Sequence, residues 1–393
     1  MKKLLIIGAS ILQVPAIKKA KEMGYYVGVV DYNPDAVGVS FADKYFNVST
    51  IDVDAVVETA KAFKPEGIVT LATDMPMRAI AAACEACGLP GISPETALMT
   101  TDKGEMIKAF AENGVEHPWY FIASDKNEFD MILDKVSFPC IMKPTDNAGS
   151  RGVVLAHSLE ELINEYEYSL GESRSGAVII EEYLTGPEFS VEVMVVDGVP
   201  HILQITDKIT TGAPYFVEMG HSQPTKQPEN VKSQIIDLAS RAVESVGINM
   251  GPAHVEMILT ENGLKMVELG ARLGGDNIVT HLVPLSTGID MVRATIDMAC
   301  GNPPDIVQKY HKGSAIRYFE TPIGTLKSIE NVEQAMNVQG VYEIDFVKKI
   351  GDVLPTIKNS TDRIGFVIAQ DMTPEKALAD CKNAIDLVRI FCD

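Results

Sequence analysis

Positive charge is scarce in this chain of 393 residues. It has 34 Lys and Arg against 54 Asp and Glu, which gives a formal net charge of −20. Nucleic acids and anionic membranes attract basic surfaces, so we expect neither as the main partner. The remaining composition, with 46% hydrophobic residues, is ordinary for a globular protein. The length predicts roughly two or three domains.

Long hydrophobic runs are missing as well. No apolar stretch approaches the roughly 20 residues that a helix needs to cross a bilayer. Near the N-terminus, the apolar run covers only Leu4 to Ile7 before Gly8 interrupts it. This run is too short for the hydrophobic region of a signal peptide, so it predicts a buried first strand. We expect no membrane partner.

The cysteines lack the spacing of a disulfide framework or a zinc site. They lie at positions 84, 87, 140, 300, 381 and 392. Cys84 and Cys87 form a C-x-x-C, but it falls inside an alanine-rich run that predicts a helix, and no second pair is nearby. Packed, reduced thiols in a cytoplasmic protein are the favoured interpretation.

Strand and helix signals alternate over residues 1–95. Strands are predicted at 3–7, 27–31 and 67–70, and helices at 13–23 and 53–63. Such alternation predicts a doubly wound parallel sheet. The first turn, Gly8-Ala9-Ser10, lacks the complete G-x-G-x-x-G, which disfavours a dinucleotide site. Ser10, Thr73 and Asp74 follow strand ends, where such sheets bind ligands, and are candidate substrate residues.

Beyond residue 95 the signals change to mixed strands and helices. A small α+β unit is predicted over about 115–185, and it contains the polar, glycine-bearing loop from Thr145 to Gly152. A larger sheet is predicted to follow this unit. Residues 301–393 carry strand signals and a final helix from Pro374 to about Phe391, without a functional motif. They predict a mostly structural α+β domain.

The run over residues 205–225 is polar and rich in turn residues, and it holds Lys208, Glu218 and His221. Such a composition is unusual for a core and predicts the rim of an active site. We expect Lys208 to pair with a phosphate, and Glu218 and His221 to contact substrate. For His221 a structural role is an equally good interpretation.

The most informative stretch runs from Gly251 to Asp276. Two alternating segments joined by Glu261-Asn262-Gly263 predict a β-hairpin. The alternation places Met266 and Glu268 on one face, so that Glu268 and Glu256 can point into the same space. Two carboxylates at one place need a cation between them, and oxygen ligands favour Mg²⁺ or Mn²⁺, which usually binds together with nucleotide phosphates.

The end of this hairpin combines one arginine with several glycines. Arg272 is followed closely by Gly274 and Gly275. A strand end of this kind suits an anion, because backbone N–H groups and a guanidinium can both approach it. The stretch therefore predicts a magnesium–nucleotide site.

Residues 1–300 together resemble the ATP-grasp superfamily. The resemblance lies in a lysine at a helix start (Lys103), a lysine ending a strand (Lys143), a glycine-bearing loop, the acidic strand end EEYL and the paired glutamates. It implies a mixed α/β and α+β fold. Residues 1–95 would form the doubly wound domain, 96–300 the ATP-grasp domain with a mobile lid subdomain at about 115–185, and 301–393 a C-terminal α+β domain.

The resemblance also implies roles for particular residues. Nucleotide-binding residues would be Lys103, Lys143, Gly149, Ser150, Gly152, Glu181, Glu182, Tyr183, Leu184, Glu188 and Met257. Glu256 and Glu268 would hold Mg²⁺ or Mn²⁺. Arg272, Lys208 and Arg151 would act in catalysis, with Arg272 clamping the transferred group or a substrate carboxylate. Substrate residues would be Ser10, Thr73, Asp74, Glu218, His221, Gly274 and Gly275.

One position departs from the common pattern of the superfamily. Many members have Asn two residues after the second metal-binding Glu, whereas this chain has Gly270. Water or a bidentate Glu268 would then complete the metal shell, or one metal would bind weakly. Glycine at this position favours the branch of amino-acid ligases, by family analogy.

These features predict an ATP-dependent carboxylate–amine ligase. ATP would convert a carboxylate to an acyl phosphate, ADP would leave, and an amine would attack, most simply on amino-acid-like or other small polar molecules. A biotin carboxylase-like or purine-pathway enzyme is an alternative within the superfamily. A non-catalytic nucleotide-binding regulatory protein is the alternative of another class. A homodimer would suit the superfamily.

Overall fold

The N-terminal part of the structure is a parallel sheet flanked by helices. The computed structural model describes residues 2–147 and 151–393. The elements of its first part are β1 (Lys3–Ile7), α1 (Val14–Glu22), β2 (Tyr26–Asp31), β3 (Lys44–Asn47), α2 (Val53–Phe63), β4 (Gly67–Val69) and α3 (Met77–Cys87). The strands lie in the order β3-β2-β1-β4 and all pair in parallel, because helical crossovers connect them. The predicted doubly wound sheet is confirmed.

Two helices lead from this sheet into a small antiparallel unit. They are α4 (Pro94–Met99) and α5 (Lys103–Glu112), and α5 begins at Lys103 because the Asp102 carboxylate accepts from the backbone N–H groups of Gly104 and Glu105. The unit contains β5 (Tyr120–Ala123), α6 (Lys126–Ile132), β6 (Cys140–Pro144), β7 (Val154–Ala156), α7 (Leu159–Asn164), α8 (Tyr166–Gly171) and β8 (Val178–Glu182). Its sheet order is β5-β8-β6-β7.

An eight-stranded antiparallel sheet forms the centre of the molecule. The part of the chain that begins this sheet contains β9 (Glu188–Val196), β10 (Val199–Thr210), β11 (Glu218–Gln223), α9 (Glu229–Ser245), β12 (Gly251–Thr260), β13 (Gly263–Gly270), α10 (Val283–Thr287) and α11 (Met291–Ala299). Most of the run over 205–225 forms the paired strands β10 and β11, and its residues Lys208 and Glu218 line a cavity. Its role as the rim of an active site stays a prediction. Its polar residues find partners inside the sheet, which the composition did not reveal.

The C-terminal part extends the same sheet. Its elements are β14 (Gly313–Tyr318), β15 (Gly324–Glu330), α12 (Val332–Met336), β16 (Val341–Phe346), β17 (Val353–Leu354), β18 (Gly365–Asp371), α13 (Pro374–Leu387) and β19 (Arg389–Cys392). The large sheet has the order β13-β12-β9-β10-β11-β14-β18-β16, and β17-β15-β19 form a separate sheet. The predicted final helix ends earlier than expected, because β19 pairs with β15. The division at residues 95 and 300 stays a prediction.

The predicted hairpin is present as β12 and β13. Glu256 lies directly opposite Glu268, as the alternation required. The register shifts by one residue just beyond this pair, so that Met257 lies opposite Met266 and Val267 is a bulge. The strict alternation assumed for Met266 and Glu268 therefore does not hold, and both line the same cavity together with Val267.

The described ranges contain no helix long and apolar enough to cross a membrane. All six cysteines are free, and Cys84, Cys140 and Cys381 are buried among apolar side chains. The interpretation of Cys84 and Cys87 as packed thiols on a helix agrees with their position on α3.

Candidate active site

A cavity of about 460 Å³ lies between the small antiparallel sheet and the large sheet. We call it the central cavity. The predicted site residues that line it are Lys103, Lys143, Arg151, Glu181, Glu182, Tyr183, Leu184, Glu188, Lys208, Glu218, Glu256 and Glu268. Residues from five separate stretches of sequence therefore meet in one place, which is what a shared ligand requires.

Glu256 is held by two cations at the floor of the central cavity. Its Oε2 lies 3.0 Å from Lys208 Nζ, and its Oε1 lies 3.1 Å from His254 Nε2. Burial alone would raise the pKa of Glu256, but Lys208 and His254 outweigh this effect and hold the pKa well below its usual range. Glu256 is therefore a carboxylate at neutral pH.

Lys208 lies among three carboxylates. Its Nζ is 3.0 Å from Glu256, 3.6 Å from Glu218 and 4.0 Å from Glu188, and only 5% of its side chain is exposed. Burial opposes its charge, yet the neighbouring carboxylates raise its pKa above the usual value. Lys208 is thus a fixed cation in the site.

His254 and Glu192 lie beneath Glu256 and were not predicted. His254 Nδ1 is 2.6 Å from Glu192 Oε1, and both side chains are buried. Burial would lower the pKa of His254, but the two carboxylates raise it to about 9. A Cβ on Gly274 would lie 2.6 Å from His254 Nδ1, so this predicted substrate glycine leaves room for the imidazole instead. His254 could have been found from the sequence, because it precedes Glu256 by two positions in a strand and alternate strand residues share a face.

Glu268 is paired with the lysine that begins α5. Lys103 Nζ lies 3.1 Å from Glu268 Oε2 and donates to the backbone carbonyl of Asn147 at 3.0 Å. The positive charge of Lys103 lowers the pKa of Glu268 despite burial. The predicted pair of charged glutamates is thus present, with a lysine at each member.

The second predicted phosphate-binding lysine also has an acidic partner. Lys143 Nζ lies 2.5 Å from Glu181 Oε1, and both side chains are about nine-tenths buried. Glu182 next to it pairs with Lys265 on β13 at 2.5 Å. The strand end that was predicted to bind the nucleotide therefore connects the small sheet to the hairpin.

The carboxylates fit a magnesium ion that is shared with phosphates. The described residues contain no cluster of three or more His, Cys, Asp or Glu side chains arranged for a metal. They do place two charged carboxylates opposite each other, and Mg²⁺ is usually held by one or two carboxylates plus phosphate oxygens and water. The donor set is oxygen only, which suits a hard cation.

Gly270 has a physical explanation in its neighbours. A Cβ at this position would overlap Asp74 Oδ1. Asp74 accepts two hydrogen bonds from Arg272, at 2.9 Å from Nε and 3.0 Å from Nη2. The Asp74–Arg272 pair thus leaves no room for a side chain at position 270. Burial would lower the pKa of Arg272, but Asp74 raises it.

A second ion pair connects the C-terminal region to the site. Arg363 donates to both carboxylate oxygens of Asp276, at 2.7 and 2.8 Å, and to the carbonyl of Glu218 at 2.9 Å. His221 Nε2 lies 3.3 Å from Asp276 Oδ2. Arg363 stands just before β18, in the region where no motif was found. Only its closeness to Asp276 in the structure reveals that it contacts the site.

Some predicted residues lie elsewhere. Ser10 and Thr73 line neither the central cavity nor the cavity that contains Asp74. Met257 was predicted to contact the nucleotide but is fully buried in the apolar core, because it points to the face of β12 opposite to that of its neighbour Glu256. His221 is buried behind the cavity wall.

The glycines have separate outcomes. Gly152 has a φ of +74°, and a Cβ there would lie 2.7 Å from Pro144 Cγ, so the chain needs glycine at this turn. Gly275 lies against Ala72, whose Cβ is 3.8 Å from the place a Cβ would take. Gly149 and Ser150 lie outside the described residues.

Known families match two segments of the chain. Residues 136–281 match the ATP-grasp domain, and residues 317–393 match the L-amino acid ligase C-terminal domain 2. The chain contains an ATP-grasp domain. The resemblance stated from the sequence and the predicted fold class are thereby confirmed.

Relatives of this ATP-grasp protein include ligases. Alanine–anticapsin ligase from Bacillus subtilis (strain 168) is 26% identical over 316 residues, which cover 74% of this chain and 66% of that ligase. Phosphoribosylglycinamide synthetase from Anaerococcus prevotii superposes with a TM-score of 0.81 at 25% identity, with both chains covered completely. L-amino acid ligase from Bacillus licheniformis has a TM-score of 0.85 at 22% identity, covering 100% of this chain and 99% of that one, and this likeness shows the fold alone.

Proposed function

We propose that this protein is an ATP-dependent ligase that joins a carboxylate to an amine, with amino-acid-like substrates, and releases ADP and phosphate. The observation that carries the proposal is the charged pair Glu256 and Glu268, with Lys208 and Lys103 beside it, at the floor of the central cavity. A site of this charge pattern suits a magnesium-bound triphosphate. The ligase relatives supply the reaction class.

The reaction proceeds in two steps. A carboxylate oxygen of the first substrate attacks the γ-phosphorus of ATP, the bond to the β-phosphate oxygen breaks, and ADP leaves with the bonding pair. The amine nitrogen of the second substrate then attacks the acyl carbon, phosphate leaves, and the amine loses a proton. The acyl phosphate makes the carboxylate oxygen a good leaving group.

The chain positions these reactants with fixed charges. Lys103 and Lys143 bind phosphate oxygens. Lys208 attracts negative charge next to Glu256, because its own ammonium group stays protonated. Arg272 orients the transferred group or the substrate carboxylate, with its guanidinium fixed by Asp74. Glu256 and Glu268 would hold Mg²⁺, which when bound neutralises charge on the phosphates.

The first test measures ADP release with pairs of amino acids and Mg²⁺. We expect release that requires both substrates, and Glu268→Gln should lower kcat by at least about 100-fold, as loss of a charge-stabilising group does. Glu244→Gln, on an exposed position of α9, is the matched control and should keep full activity. Unchanged melting of both variants shows that they fold.

Other outcomes assign other functions. ADP release that depends on bicarbonate without an amine would favour a carboxylase, and ATP binding that no carboxylate stimulates would favour a regulatory protein. Full activity of Glu268→Gln would remove the metal assignment. We further propose a cytoplasmic enzyme that acts on small molecules, with a homodimer to be tested by its mass in solution.

A further inference from the structure

A second cavity, of about 410 Å³, adjoins the central cavity. We call it the arginine cavity, and define it by Asp74, Arg78, Lys103, Asp146, Arg174 and Glu268. Lys103, Asn147 and Glu268 line both cavities, so the two meet at the Lys103–Glu268 pair. A molecule in the arginine cavity would therefore lie beside the proposed phosphate and metal site.

Three parts of the chain form this cavity. Asp74 and Arg78 come from the end of β4 and from α3, Lys103 begins α5, and Asp146 and Arg174 belong to the small antiparallel unit. Ligand pockets occur preferentially where such parts meet.

Every acid of the arginine cavity already has its partner. Asp74 is bound by Arg272, and Glu268 by Lys103. Asp146 accepts from the backbone N–H groups of Arg174 at 3.0 Å and of Ser175 at 2.7 Å. The negative charge of Asp74 and of Glu268 thus already faces a cation of the chain, and the bonds of Asp146 fix the backbone that carries Arg174.

The two arginines lack such partners. Arg78 Nε donates to the Thr101 hydroxyl at 2.7 Å, and its closest carboxylate oxygen, on Asp102, is 3.9 Å from Nη2. Arg174 Nη1 lies 3.1 Å from the thioether sulfur of Met75, which is a weak acceptor. Across residues 2–147 and 151–393, neither guanidinium has a carboxylate at hydrogen-bond distance, although the chain carries a net charge of −20.

We propose that the arginine cavity binds the amine substrate through an anionic group carried by that substrate, with Arg78 and Arg174 holding the anion. The inference rests on the proposed ligase function and names the substrate class for its second step. Guanidinium groups bind carboxylate and phosphate through paired, charge-assisted hydrogen bonds. The amine then faces Glu268 and the central cavity, where the acyl phosphate forms.

Steady-state kinetics tests the assignment. Arg78→Gln and Arg174→Gln should each raise the KM for an amino-acid amine substrate by about 10-fold or more, since each variant removes charge-assisted hydrogen bonds to the anion. The KM for ATP and the kcat at saturation should stay within about 3-fold. Arg293→Gln, at an exposed arginine on α11, is the matched control.

The substrate series identifies the anion. Wild-type enzyme should prefer the amino acid over its carboxamide by a similar factor, and both variants should lose that preference. A phosphate-bearing amine is compared in parallel, and the better of the two acids names the source of the anion. Unchanged KM in both variants, or a carboxamide as good as the amino acid, overturns the proposal.

Equilibrium binding separates this inference from the ligase proposal. If no substrate pair releases ADP, calorimetric titration of the amino acid and the phosphate-bearing amine into wild type and both variants still tests the cavity. Binding that Arg78→Gln and Arg174→Gln weaken supports the site while the ligase function fails. Binding that is absent, or equal in all three proteins, overturns the site.

Discussion

The ion pair between Arg363 and Asp276 should be one of the strongest single couplings in the molecule. Only 9% of the Arg363 side chain is exposed, and its guanidinium also lies 3.7 Å from the centre of the Tyr318 ring. Burial alone would raise the pKa of Asp276, but the hydrogen bonds from Arg363 lower it. Removing the arginine leaves a partly buried carboxylate with His221 and Tyr318 beside it.

We expect Arg363→Met to lower the free energy of unfolding by about 3–5 kcal/mol, as loss of one partner of a buried pair does. Asp276→Asn tests the other partner and keeps the backbone, because the φ of +50° at this position is one that Asn tolerates. The double variant should be less damaged than the sum of the two single variants, with a coupling energy of about 2–3 kcal/mol.

The matched control is another Arg–Asp pair. Arg293 and Asp297 are one helical turn apart at 3.6 Å, and 60% of the Arg293 side chain is exposed. Their coupling should be at most about 1 kcal/mol. Urea unfolding of both cycles measures the two values. A coupling below about 1 kcal/mol for Arg363 and Asp276 would refute the view that this pair fixes the C-terminal region against the site.

Two further predictions concern packing. Gly270→Ala should destabilise the protein by about 1–3 kcal/mol in thermal or urea unfolding, because the new methyl group overlaps Asp74. Gly171→Ala is the control and should be neutral or mildly stabilising, because no atom lies within 4 Å of the new methyl group. Equal effects of the two substitutions would contradict the explanation of Gly270. Burial raises the pKa of the Cys84 thiol to about 12. At pH 8 only about one such thiol in ten thousand is ionised. Alkylation of the native protein followed by peptide mass mapping should therefore label the partly exposed Cys392 before Cys84. Early labelling of Cys84 would contradict its burial.

The features that could be predicted are those that depend on residues close together in the sequence. The facing of Glu256 and Glu268 followed from strand alternation and a tight turn, and Lys103 was found at a helix start that Asp102 caps. The bulge at Val267 was missed because alternation carries no sign of a register shift. The strands β10 and β11 were not recognised in the run over 205–225, because its polar residues and its turn residues hide a strand pattern.

Partners distant in sequence also explain the missed residues, such as Arg363, and the missed pairing of Arg272 with Asp74, two residues that were predicted separately. Arg363 and Asp276 are 87 positions apart, and Arg272 and Asp74 are 198 apart. No periodicity connects such pairs, because the contact depends on how separate parts of the chain pack. Glu192 was missed for the same reason: it stands on β9, where only its neighbour strand β12 gives it the His254 partner.

The cations proposed to bind ATP are already paired with carboxylates in the structure. Lys103 lies on Glu268, Lys208 on Glu256 and Lys143 on Glu181. Burying any of these charges without a partner would be costly, so the pairs keep the site folded before substrate arrives. Magnesium and triphosphate bring opposite charges together, so Lys103 and Lys208 can turn to the phosphates as Glu268 and Glu256 turn to the cation. Phosphate without the cation would leave the glutamates unpaired, and we therefore expect ATP binding, measured by calorimetry, to weaken strongly when Mg²⁺ is chelated; equal binding with and without Mg²⁺ would contradict this exchange.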